Sequence, residues 1–182
     1  MRAVPLTVTA LAAALLLTAC DSGGDASGGG ADSGSSAEGK SPGGACAIGK
    51  LGSEVGPVNA APAAGDSGNV TVTLTNQGPE CALEGFPAIS LDAGSVSGNV
   101  PHDEAAQPQK LTLAENATAT FTITYARGAG GDAKSLSVKT VKYGLPGAKA
   151  TKSFPWSYGD IALKGDTGEP DASVSAFQQA GD

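Results

Sequence analysis

From residue 69 onward, apolar and polar residues alternate in short runs broken by Gly, Pro and Asn. Val70, Val72 and Leu74 interleave with Thr71, Thr73 and Thr75, the period of a half-buried strand with its threonines outward. The cleanest run sets Ala117, Ala119, Phe121, Ile123 and Tyr125 against Thr118, Thr120, Thr122 and Thr124. Asn76-Gln77-Gly78-Pro79 predicts a turn between strands. Ala88 to Asp92 predicts a short strand, and Leu111 with Leu113 another, ended by Glu115-Asn116. Leu136 to Tyr143 and Ala150 to Trp156 flank Gly144-Leu145-Pro146-Gly147, which predicts a hairpin. Weaker signals cover Ile161 to Leu163 and Ser173 to Phe177, and a further strand is expected near Ile48 to Val55. About seven to nine short strands, without βα alternation or an internal repeat, predict an all-β antiparallel β-sandwich.

The first 45 residues follow other rules. Met1-Arg2 supplies a short positive segment and Val4 to Leu17 an apolar run, broken only by Pro5, Thr7 and Thr9. The run is short for a membrane span and lacks flanking stop-transfer charges. Neither the caps nor the amphipathic face of a buried helix is present. Leu17-Thr18-Ala19-Cys20 resembles the bacterial lipobox, which implies that Cys20 is lipidated and becomes the first mature residue. An ordinary signal peptide is the plainer alternative. Residues 21 to 45 contain nine Gly and six Ser, with no aromatic or β-branched residue. Such a segment cannot bury enough apolar surface to offset chain entropy, so a disordered tether is expected. As a Gly/Ser coil it would span about 25–30 Å. The expected organisation is a signal peptide over 1–19, the lipidated Cys and linker over 20–45, and one β-sandwich domain over 46–182.

Composition narrows the functions open to that domain. Eighteen of the 27 Gly fall within residues 46–182, and each would cost a helix interior about 1 kcal/mol relative to Ala. The formal charge is −7; loss of Arg2 with the leader leaves 10 Lys/Arg against 18 Asp/Glu, or −8. Nucleic-acid affinity rests on neutralising phosphates, so no nucleic-acid partner is expected. With Cys20 lipidated, Cys46 and Cys81 remain as an even pair in an oxidising compartment. A bridge between them would close a loop of about 36 residues and stabilise by about 3–4 kcal/mol on the chain-entropy model. Two free thiols or a metal site are the alternatives, although zinc normally takes four ligands.

Cys46, a strand ending Leu74-Thr75-Asn76, the block Cys81-Ala82-Leu83-Glu84-Gly85-Phe86-Pro87, and then Leu111-Thr112-Leu113 occur in this order. The series resembles the actinobacterial secreted domain of unknown function 4232, found on cell-surface lipoproteins with a similar tether. Residues 73 to 91 carry most of the likeness, and a weaker match runs over most of 46 to 164. The resemblance implies an immunoglobulin-like sandwich pinned by its first Cys pair. It brings no activity. Members often carry a second, late Cys pair that this chain lacks, and Glu115-Asn116 stands where the family commonly has Pro-Gly.

Candidate chemistry is sparse. His102 is the single imidazole, in an expected loop beside Asp103 and Glu104. No Gly-x-Ser-x-Gly elbow accompanies it, and adjacent loop side chains rarely converge on a cation. The mature chain has no Met for copper delivery. Carboxylates such as Glu80, Glu84 and Asp92 cannot be paired across a cleft by spacing alone. No catalytic residue, metal or cofactor is expected. Two clusters suggest binding. Trp156 and Tyr158 follow Phe154 at two-residue steps, so a sugar-stacking platform or the core face of a late strand would look alike. Residues 133 to 159 carry Lys134, Lys139, Lys142, Lys149 and Lys152 and no acid. A hairpin could gather them for an anionic envelope polymer or lipid headgroups; lysines that merely protect a sheet edge are the alternative. The expectation is a lipid-anchored, extracytoplasmic, non-enzymatic module on the cell membrane. Its alternatives are a carbohydrate or cell-wall polymer binder, or an accessory subunit docking a protein partner.

Overall fold

A computed structural model describes residues 43–180 except Asp166, with the backbone alone at Pro57. A 3₁₀ turn at Ile48–Lys50 leads into β1 (Leu51–Asn59) and β2 (Ser67–Asn76). Then come β3 (Cys81–Leu83), β4 (Ala88–Asp92), β5 (Ser97–Val100), β6 (Leu111–Leu113) and β7 (Thr118–Ala126). The second half contributes β8 (Ser135–Leu136), β9 (Thr140–Gly144), β10 (Thr151–Pro155) and β11 (Ile161–Lys164). The last strands are β12 (Glu169–Pro170), β13 (Ala172–Val174) and β14 (Gln178–Gln179).

Alternation decides which side of each strand is dry. In β2, Val70, Val72 and Leu74 are fully buried, while Thr71, Thr73 and Thr75 stay partly exposed. β7 does the same with Ala119, Phe121, Ile123 and Tyr125. These strands pair antiparallel from Ser67↔Ala126 to Thr75↔Thr118. The first sheet runs β1-β2-β7-β13, and β14 also pairs with β7. The second runs β10-β9-β4-β5. Its inner side presents Ile89, Leu91, Val141, Tyr143 and Phe154 to the first sheet's buried row. Phe121 meets Tyr143 with ring centroids 5.4 Å apart and Phe177 edge-on at 6.0 Å. Each such side chain contributes about 1.5–3 kcal/mol through burial.

The molecule is an immunoglobulin-like antiparallel sandwich. In the usual lettering, β1, β2 and β7 stand as A, B and E, and β5, β4, β9 and β10 as C′, C, F and G. The C-terminal strands β13 and β14 occupy the place beside E. Two small sheets, β3-β6 and β12-β11-β8, complete the fold. The sandwich differs from antibody domains in its crosslink. Cys46 and Cys81 form a disulfide with a Cα–Cα distance of 4.9 Å, joining the residue before the 3₁₀ turn region to β3 rather than joining B to F.

Four expectations change. The run Leu136 to Tyr143 is two strands, because Val138 N–H turns back to Leu136 O and Lys139 N–H reaches Asp92 O. Ser173 to Phe177 divides into β13 and the approach to β14, with Ser175 N–H bonded to Thr122 O and Phe177 N–H to Gly85 O. β3 and β5 are additional strands, too short to show a period of their own. β1 runs longer than expected and carries a bulge between Val55 and Val58, where Pro57 sits on an edge strand.

The two ends of the sandwich are closed differently. At one, Asn76 is 1% exposed and its Nδ2 donates to Pro79 O and Leu113 O, both at 2.9 Å, while Oδ1 accepts from Gly78 N–H. Asn76 thereby fastens the end of β2 to its following turn and to β6. Asn116, at φ 66°, crosses the neighbouring turn and returns an N–H to Asn76 O; Asn tolerates this left-handed conformation better than most residues. At the other end, Tyr125 Oη donates to Tyr158 O at 2.8 Å. Arg127 Nη1 donates to Ala61 O at 2.6 Å. Trp156 fills the space between, edge-on to Tyr125 and Tyr158 with centroids 4.9 Å away in both cases.

Candidate functional site

The cysteine pair is bonded, so Cys46 and Cys81 are neither free thiols nor metal ligands. Cys20, residues 1–19 and residues 20–42 lie outside the described residues. The expected lipidation site therefore has no structural account.

Trp156 and Tyr158 do not form an exposed platform. Trp156 is 6% exposed, and its Nε1–H is committed to Gly159 O at 2.7 Å. The sequence alternative, a core role, is the one the packing shows. Burial here satisfies both the ring and its polar edge, which a stacking platform would leave to a ligand.

The β9–β10 hairpin forms, with Gly147 at φ 71° in its turn. It does not bring the five lysines to one face. Lys142 pairs across the strands with Ser153 and points outward, whereas Lys152 pairs with Tyr143 on the inner side. The Lys152 ammonium crosses the open edge of the sandwich to Leu51 O on β1. Lys139 and Lys149 lie at opposite ends of β9, roughly 16 Å apart by strand rise. Lys134 sits before β8, with its backbone N–H on Asp132 Oδ1. Lys142 donates to Asp92 Oδ2 at 3.0 Å. The Gly94 N–H, followed by Lys142, holds the Asp92 carboxyl below its ordinary value of 3.8. Lys142 and Lys152 are therefore engaged in separate contacts on opposite sides of the hairpin.

His102 stacks on Phe86, with centroids 4.3 Å apart and planes 7° from parallel. The neighbouring Asp103 turns its carboxylate onto Ala105 N–H at 2.9 Å.

The outer side of the first sheet is a field of hydroxyls. Thr71 faces Thr122, Thr73 faces Thr120, and Thr75 faces Thr118. Thr71 and Thr122 hydroxyls share a 3.0 Å hydrogen bond, and Thr124 donates to Asn69 Oδ1 at 2.8 Å. Beside this face lies a groove that sequence reasoning did not identify. It has a volume of about 300 Å³ and is bordered by Gln107, Gln109, Gln178 and Gln179. Leu111, Ala176 and Phe177 supply its apolar parts. Gln178 and Gln179 project from β14, held in register against Thr120 and Ala119. Gln107 and Gln109 flank Pro108, whose ring fixes one backbone angle between them. A second cavity, also about 300 Å³, lies at the entry to the fold beside Cys46, with Glu84 and Lys110 on its wall.

The chain belongs to the family described as Domain of unknown function (DUF4232), whose model matches residues 46–178. No curated protein matches it.

Proposed function

We propose that the protein is a lipid-anchored module of the extracytoplasmic membrane face, non-enzymatic, that binds a component of the cell envelope. The Cys46–Cys81 disulfide carries this reading. Such bonds persist in oxidising compartments and are rare where thiols are kept reduced. The bond also sits where a chain tethered through Cys20 would enter the fold. On this reading residues 21 to 45 let the domain reach about 25–30 Å from its lipid. Two acyl chains would suffice for stable retention, since burying each CH₂ contributes about 0.8 kcal/mol. The groove beside β14 supports binding over catalysis, because carboxamides donate and accept hydrogen bonds without serving as general acids or bases near neutral pH.

The test is fractionation of cells expressing Cys20→Ala. The expected outcome is release of the domain into the medium or accumulation of the unprocessed precursor. Membrane retention with normal processing would overturn the anchor.

A further inference from the structure

The chain has five glutamines, and four of them line one groove. They come from two segments about 70 residues apart, which only the tertiary fold brings together. Building on the envelope-binding reading, we infer that this groove is a binding site for a neutral, hydroxyl-rich glycan.

The chemistry of the walls selects that class. Each carboxamide offers one acceptor oxygen and two N–H donors, a match for vicinal hydroxyls that both give and take hydrogen bonds. Among the described residues no charged side chain lines the groove; Lys110, next to Gln109, contributes to the other cavity with Glu84. An anionic or cationic ligand would give up hydration here without gaining an ion pair. Leu111 and Ala106, both partly exposed, give the C–H side of a sugar ring an apolar surface. A volume of about 300 Å³ meets the lower end of the range typical of ligand pockets, about 300–1,000 Å³.

Rigid neighbours hold the site in shape. Phe177 is 2% exposed, its N–H is bonded to Gly85 O, and its ring stands edge-on to Phe121. Its role is to fix the floor rather than to stack on a ligand. The groove also continues onto the threonine face. Gln178 lies opposite Thr120, and Thr120 lies opposite Thr73, so one row of uncharged hydrogen-bonding side chains runs across three strands. A polymer seated in the groove would find further hydroxyl partners along that row. An extended peptide is less well served, because β14 offers an edge of only two residues.

Side-chain amide NMR on the full chain tests the site directly. Gln77 is the internal reference, since it packs beside Gly52 on β1 and not in the groove. The probes are maltohexaose, cellohexaose and mannohexaose, with a heparin hexasaccharide and a blocked (Val-Thr)₃ peptide as counter-probes. At least one neutral hexasaccharide should shift the four groove carboxamides and leave Gln77 unmoved. Raising NaCl from about 50 to about 500 mM should leave its affinity unchanged. The double variant Gln107→Ala, Gln178→Ala should weaken it at least about tenfold, with the Gln77 signal in place as the check on folding. The inference is overturned if none of the three neutral probes shifts the groove signals, if only heparin or the peptide does, or if binding survives the double variant. That failure would leave the anchored-module reading intact, because the Cys20→Ala fractionation is read without any glycan.

Discussion

The two ends of the sandwich perform one task with different chemistry. Where β2 ends, closure is covalent and polar: the Cys46–Cys81 bond and the buried Asn76 carboxamide tie three chain segments together. Where β7 ends, closure is aromatic, with Trp156 wedged between Tyr125 and Tyr158 and with the Trp156 indole N–H and the Tyr125 hydroxyl each donating to a backbone carbonyl. A sandwich must seal its two open ends, and a chain with only 4% aromatic residues spends its one Trp on that task. The difference explains why an apparent ligand platform is part of the core.

Substitutions at the aromatic end should have the largest effect. Trp156→Ala should cost about 3–5 kcal/mol in urea unfolding, the range for truncating a buried Trp. A loss below about 1 kcal/mol would mean that the wedge does not hold this end. At the other end, the pair Cys46→Ser, Cys81→Ser should cost about 3–4 kcal/mol, the entropy of opening a loop of about 36 residues. Combining the two changes sharpens the comparison: independent closures should add to within about 0.5 kcal/mol, and a larger coupling would merge the ends into one unit.

Tyr143, in the core between the ends, should show the smallest effect. Its hydroxyl is buried and meets no hydrogen-bond partner among the described residues. Burial pushes its pKa above the ordinary value of 10.0. Because the folded-state value is raised, the stability linked to it is present below pH 10 and lost as pH rises through the higher value. Tyr143→Phe should therefore change stability at pH 7 by less than about 1 kcal/mol. The same variant should flatten the decline above pH 10, and an unchanged alkaline limb would exclude Tyr143 as its source.

Legibility in the sequence followed the range of the interactions. Strands β2 and β7 show their alternation within nine or ten residues, and the Gly144 to Gly147 turn marks its hairpin locally. β3 has three residues and pairs with β6 some 30 positions away, so nothing local announces it. The split between β8 and β9 depends on Lys139 N–H finding Asp92 O in another strand. The lysine reading missed a matter of parity. Once Phe154 and Val141 face each other in the core, Lys152 must point inward and Lys142 outward. Asn76 read as turn punctuation, whereas its carboxamide also holds β6. The glutamine groove had a faint signal in Gln107-Pro108-Gln109 and Gln178-Gln179. Only the tertiary fold, which sets β14 beside the segment before β6, shows that the two pairs meet.

The position of the disulfide has a mechanical consequence. On the proposed reading, a chain held on a membrane at one end and bound to a polymer at the other would be under tension whenever the two moved apart. A pull from the N-terminal side meets the crosslink at Cys46 and passes through sulfur to Cys81. The 34 residues strictly between them, at a separation of 35, lie off that path. They include all of β1 and β2, about 110–120 Å of extended chain that traction cannot draw out. The β2 half of the threonine face rides on that protected hairpin, whereas the β7 half, next to the groove, lies outside the loop.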